Sequence, residues 1–142
     1  SLINILEKSK LNLTIVSPEK KNRIFNNSNN ISIINFENNE DEIIKLYDNY
    51  RIFILPSYTE AHPQVLDEAL ARNIPVIIFN EISHVVRDRK GVFISERNIN
   101  SLQETVDYIN KNYENIQNKI KLNILPTKKQ FIEDLKNIIL KK

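Results

Sequence analysis

Two short runs in this chain are apolar at nearly every position: RIFIL at 51–55 and PVIIF at 75–79. A half-buried strand alternates apolar and polar residues, because its side chains point to opposite faces. A continuous apolar run of strand length marks a strand covered on both faces, as in a parallel sheet. The segment between the two runs fits a helix. Pro63 stands at its first turn, and Val65, Leu66, Ala69 and Leu70 share one face through Asn73.

The same alternation extends along the chain. Leu11–Val16, Ile31–Phe36 and Gly91–Ile94 are short and rich in β-branched or aromatic residues, and read as strands. Glu40–Tyr50 reads as a helix with an acidic first turn and apolar Ile43, Ile44, Leu46 and Tyr47. A short helix is expected between the fourth and fifth strands. Leu102, Val106, Ile109, Tyr113, Ile116 and Ile120 recur at spacings of four and three, and Phe131, Ile132, Leu135, Ile138 and Ile139 do the same. Ser1–Lys10 fits the tail of another helix. This order predicts a doubly wound α/β fold with a mostly parallel sheet. The 142 residues make one domain, able to bury roughly 70% of the surface of the unfolded chain.

Composition removes several function classes. Gly91 is the only glycine, so there is no glycine-rich phosphate loop and no G-x-G-x-x-G fingerprint. A nucleotide would have to be held by a helix N-terminus and side chains. The absence of Cys excludes disulfides and thiolate metal sites. A net charge of +2 with no aromatic–basic pattern gives no support for nucleic-acid binding. No apolar run approaches the ~20 residues that span a bilayer, and no signal peptide is visible, which points to a cytoplasmic chain. Ser1 in place of Met leads to the expectation that the chain is excised from something longer.

Parallel strands bring their C-terminal ends to one sheet edge, where ligands bind in such folds. Three loops leave strand ends there: 17–23, 35–39 and 56–62. The third carries the strongest signal. Glu60 precedes the Pro63 helix and Glu68 lies in its second turn, beside unpaired N–H groups and the positive end of the helix dipole. A phosphate suits that end, and the two carboxylates are placed to accept from sugar hydroxyls. Spacing alone proves little: with 12 Glu in 142 residues, about one pair eight apart arises by chance. Glu96 and Glu104 form such a pair and read as accidental. The information lies in the surroundings.

Those surroundings, RIFILPSYTEAHPQVLDEALARNIPVII at 51–78, resemble the donor-binding signature of family 4 retaining glycosyltransferases. That family shows strand, Leu-Pro-Ser, Glu, seven residues, Glu-Ala, then a Pro-Val-Ile strand. NISIINFENNEDEIIKLYDNY, SLQETVDYI and LPTKKQFIEDLKNII resemble the flanking elements less specifically. The resemblance implies a Rossmann-like three-layer αβα domain, the C-terminal half of the two-domain architecture called GT-B. It implies a nucleotide-sugar donor, a hexose passed to a glycan or lipid-linked acceptor, and an N-terminal partner domain that holds the acceptor. Glu60 would be the catalytic-site residue on the donor sugar, and Glu68 would hold the ribose. Backbone amides around Ala61, His62, Gln64 and Val65 would face sugar and diphosphate, and Asn35, Phe36 and Glu37 would lie against the base. No metal or other cofactor is implied, and the isolated chain is expected to be inactive.

This chain also departs from the family pattern. Ala61-His62 follows the first Glu where the family has Gly, and Asn73 replaces the Gly before the Pro-Val strand. The family's Arg and Lys for the diphosphate stand on a strand that would precede this chain. The segment 80–88 is short and lacks the family's Gly pair and Pro-Glu. The missing glycines and the missing Arg and Lys support an alternative, a degenerate non-catalytic α/β module serving protein association, which the retained Glu60 and Glu68 oppose.

Other residues have plainer readings. His62 reads as a loop or capping residue, with a proton-donor or sugar-contact role as the alternative. Asp67 reads as solvent-facing, His84 as a weak candidate for acceptor contact, and Tyr58 as packing under the loop. Lys20, Lys21 and Arg23 read as a solvated turn, and Asn73 and Gly91 as turn residues. The segment from Lys119 to Lys142 carries seven Lys. A basic amphipathic helix of this kind can lie on an anionic membrane surface, at the inner face, but its apolar side more often belongs to a core.

Overall fold

In a computed structural model of the protein, the residues described are 11–17, 31–35, 40–125, 127, 129, 130, 132, 133, 136 and 137. The expected helix tail 1–10, Lys20, Lys21, Arg23, Phe36, Glu37 and most of the apolar set 131–139 lie outside them.

The chain is α/β, and every described strand pair is parallel. β1 (Leu13–Ser17) pairs with β2 (Ile31–Asn35) in the register Leu13 to Ile31 through Ser17 to Asn35. β3 (Phe53–Leu55), β4 (Val76–Phe79) and β5 (Val92–Ser95) form a second group in spatial order β3-β4-β5. The helices include α1 (Glu40–Asp48), α2 (Gln64–Ala71), α3 (Ile99–Lys111) and α4 (Tyr113–Ile120), and residues 129, 130, 132, 133, 136 and 137 are also helical. This is the mixed, parallel architecture of a Rossmann-like domain.

Hydrophobic pattern decides which strand is central. β4 is buried at all four positions, as its unbroken apolar run requires. β3 differs from expectation. It begins at Phe53 rather than Arg51, and only Leu55 is fully buried. Arg51 stays outside the ladder and lies over the Tyr113 ring, while the Tyr113 hydroxyl donates to the Arg51 carbonyl at 3.0 Å. α2 buries Leu66, Ala69 and Leu70, α3 buries Leu102, Val106 and Ile109, and α4 buries Ile116 and Ile120. Each large aliphatic side chain so buried stabilises the fold by ~1.5–3 kcal/mol.

The run 102–120 is two helices, not one. Asn112 ends α3 and begins α4, and its Nδ2 donates to the Tyr108 carbonyl at 2.8 Å. The Tyr108 carbonyl also accepts from the Asn112 backbone amide at 3.1 Å, so both donors of Asn112 close the end of α3. Between β4 and β5 the chain forms a 3-10 segment, Asn80–Val85, with non-helical dihedrals at Ile82.

Two positive-φ residues close turns around the core. Asn73 (φ 62°) ends α2. The Asn73 amide donates to the Leu70 carbonyl and the Ile74 amide to the Ala69 carbonyl, the paired bonds of a Schellman C-cap. Gly91 (φ 87°) precedes β5, and a Cβ there would overlap the Ile120 side chain. No helix among the described residues is long and apolar enough to cross a membrane.

Candidate functional site

The register of β3, β4 and β5 places Leu55 beside Ile78 and Phe79 beside Ser95. Their C-terminal ends therefore share one edge. Three segments emerge there: the loop 56–63, the 3-10 segment and the turn after Ser95. Residues far apart in sequence meet because the parallel ladder brings these three exits together.

The loop leads into α2, whose N-terminal flank is Pro63, with no side chain capping it. Glu60 stands before that helix end, half-buried, and accepts from Ser57 Oγ at 2.7 Å through Oε1. His84 Nε2 lies 2.7 Å from the Glu60 carbonyl oxygen. A carbonyl only accepts, so His84 donates from Nε2. His84, the weaker histidine in the sequence reading, is thus built into the loop.

Glu68 is exposed on α2, and its Oε2 accepts from the Tyr47 hydroxyl of α1 at 3.1 Å. Burial, reinforced by the Glu68 carboxylate, pushes the Tyr47 phenol well above its ordinary range. Both effects disfavour a phenolate. Tyr47 also meets Phe53 edge-on at 5.8 Å.

Asp67 corrects its solvent-facing reading. Its side chain is 13% exposed and takes two bonds from Arg89, itself 10% exposed, at 2.6 and 2.9 Å. Such a fork matches guanidinium to carboxylate geometry. Arg89 Nη1 donates further to the Val85 carbonyl at 3.0 Å, tying α2 to the 3-10 segment. His62 is 48% exposed, its Nε2 3.7 Å from Asp67 Oδ2.

Arg97 is the residue that sequence reasoning missed. It lies just past β5, with its side chain 13% exposed. Nη1 donates to the Pro56 carbonyl at 3.2 Å and Nη2 to the Ser57 carbonyl at 3.1 Å. Nε donates to Glu81 Oε1 at 2.9 Å. The guanidinium carbon lies 4.0 Å from the Tyr58 ring centroid and 4.3 Å from that of Phe79. Tyr58, expected beneath the loop, is mostly exposed and covers this cation instead. The bonds from Arg97 hold the Glu81 carboxyl below its ordinary range. The signal available in the sequence was a cation immediately beyond a strand's C-terminal end.

Of the residues named from sequence, Glu60, Ala61, His62, Gln64, Val65 and Glu68 fall on one continuous loop and helix start. Ala61, His62, Gln64 and Val65 are all exposed. Asn35 closes β2 opposite Ser17, in the other strand pair. No cluster of three or more His, Asp or Glu fit for a metal occurs among the described residues.

The fold and the converging strand exits define a Rossmann-like α/β domain with polar side chains gathered at its C-terminal edge. Residues 3–124 match the family Glycosyl transferases group 1, and the chain belongs to that family. It is also similar to an uncharacterized glycosyltransferase of Haemophilus influenzae, 31% identical over 94 residues. That similarity covers 61% of this chain and 27% of the relative, so the chain spans about a quarter of the relative's length.

Proposed function

We propose that this chain is the nucleotide-sugar-binding, C-terminal half of a retaining glycosyltransferase of two-domain GT-B architecture. The observation that carries the reading is the placement of Glu60 and Glu68 about the uncapped N-terminus of α2, at the C-terminal edge of a parallel sheet. On this reading Glu60 accepts from hydroxyls of the donor sugar, and Glu68 from the ribose. Amides of Ala61, His62, Gln64 and Val65 face the sugar and the diphosphate, whose negative charge suits the helix end. Asn35, Phe36 and Glu37 are assigned to the base on the sequence resemblance alone. No metal takes part.

Transfer to a glycan or lipid-linked acceptor then requires a partner domain that completes the cleft. The chemistry is positioning of the donor and stabilisation of the departing diphosphate. The chain alone therefore binds donor and does not transfer sugar; transfer by the isolated chain would overturn that part.

The test is an NMR titration of the labelled chain with uridine, guanosine and adenosine diphosphates and their hexose conjugates. Shifts at Glu60–Glu68 for one base are expected. A hydrogen bond to a charged group is worth ~1.5–3 kcal/mol, so Glu68→Ala should weaken nucleotide binding ~10- to 150-fold. Unchanged affinity removes Glu68 from the site.

A second reading, a non-catalytic association module, has one observation in its favour. Both carboxylates already have internal partners, Ser57 for Glu60 and Tyr47 for Glu68. Absence of any shift with all six ligands would favour it.

A further inference from the structure

Arg97 does more than bridge two loops. Four of its N–H groups are engaged, by the Pro56 and Ser57 carbonyls and by both oxygens of Glu81. Its charge is neutralised by Glu81, and its flat surface is covered by Tyr58 and Phe79. A cation so committed is not available to a phosphate. What it does control is the backbone of Pro56 and Ser57, the first two residues after β3.

That control reaches Glu60 in one further step. Ser57, whose carbonyl Arg97 holds, donates from its own hydroxyl to Glu60 Oε1 at 2.7 Å. The opposite end of Glu60, its carbonyl, is held by His84. Glu81 and His84 belong to the same 3-10 segment. The segment therefore grips the loop twice, through Glu81 and Arg97 on one side and through His84 on the other.

We propose that Arg97 is a positioning residue of the donor site, orienting the Glu60 carboxylate through Ser57 without touching the ligand. The proposal rests on the reading of Glu60 as the sugar-contacting residue. Lysine cannot replace Arg97. It carries one compact ammonium, with neither a planar face for two rings nor a fork that spans two carbonyls and a carboxylate.

The experiment compares the full wild-type chain with Arg97→Lys and Glu81→Gln. UDP-glucose, GDP-mannose and ADP-glucose are each titrated beside the matching bare diphosphate. The readout is the sugar increment, the ratio of the two affinities for the base that binds. In Arg97→Lys that ratio should fall ~10-fold or more, since a charge-assisted hydrogen bond is at stake. Affinity for the bare diphosphate should stay within about twofold, because the amides that face it, at 61–65, lie beyond Glu60 and include the start of α2. Glu81→Gln keeps the carbonyl bonds and should give a smaller loss. In parallel, amide exchange at 57–60 is followed without ligand, and should accelerate in Arg97→Lys.

An unchanged sugar increment overturns the proposal. So does an equal loss for sugar conjugate and bare diphosphate, which would mark Arg97 as merely structural. If the wild-type chain binds none of the six ligands, the donor-site reading falls. The exchange comparison then decides alone whether Arg97 holds the loop, and unchanged exchange refutes that too.

Discussion

Replacing the chain's one glycine tests how tightly β5 is locked to α4. Gly91→Ala introduces two penalties that the structure separates. The first is conformational: φ is 87° at this position, and a side chain there costs ~1–2 kcal/mol. The second is steric. The new Cβ would overlap Ile120, which is 2% exposed in the core and has little room to move. Forcing a methyl group into such packing costs ~1–3 kcal/mol. Restricting the unfolded chain offsets ~0.4–1 kcal/mol. The net loss is ~1.5–4 kcal/mol. At about 4 °C per kcal/mol for a domain of this size, Tm should fall by ~6–16 °C. Thermal and urea unfolding followed by circular dichroism measure it. The steric part can be isolated. Ile120→Ala alone should cost ~2–5 kcal/mol by emptying a core position. It also makes space for the new methyl group, so the double variant should be more stable than the sum predicts by ~1–3 kcal/mol. Additivity within ~0.5 kcal/mol would refute the overlap. A neutral Gly91→Ala would refute both penalties.

Three further outcomes are expected. Asp67→Asn leaves the Arg89 guanidinium, 10% exposed, without its counter-charge, and should cost ~3–5 kcal/mol in urea unfolding; a loss under ~1 kcal/mol would mean that solvent reaches the pair. Asn73→Gly should stabilise the chain by ~1 kcal/mol, because the left-handed conformation suits Gly and the buried Oδ1 of Asn73 has no hydrogen-bond partner; a lower Tm would refute this. The Tyr47 phenol titrates above its ordinary value of 10.0 when folded. Its stabilisation is complete below pH 10 and is lost as pH rises towards the folded pKa. Tyr47→Phe should flatten the alkaline decline in unfolding free energy, and an unchanged slope would count against a phenol raised by burial in the folded chain.

Local chemistry determined what could be read directly from the sequence. The unbroken apolar run at 75–79 announced a strand buried on both faces, and β4 is that strand. Pro63 and the spacing of Leu66, Ala69 and Leu70 announced α2, and these three residues form its buried face. Asn73 was legible as a turn because Asn tolerates left-handed φ. Each of these signals lies within a few residues of the structure it specifies.

Tertiary structure decided the partners. Asp67 read as solvent-facing because nothing near it in sequence is a buried cation, yet Arg89, 22 residues on, pairs with it. Tyr47 reaches Glu68 across 21 residues, and Arg97 reaches the Ser57 carbonyl across 40. The split at Asn112 likewise went unseen, because the apolar spacing continues through it while the backbone does not. Periodicity reports which face of an element is buried and says nothing of what it is buried against. Ion pairs and clamps depend on which strand ends the parallel ladder sets side by side, and that adjacency exists only once the sheet has formed.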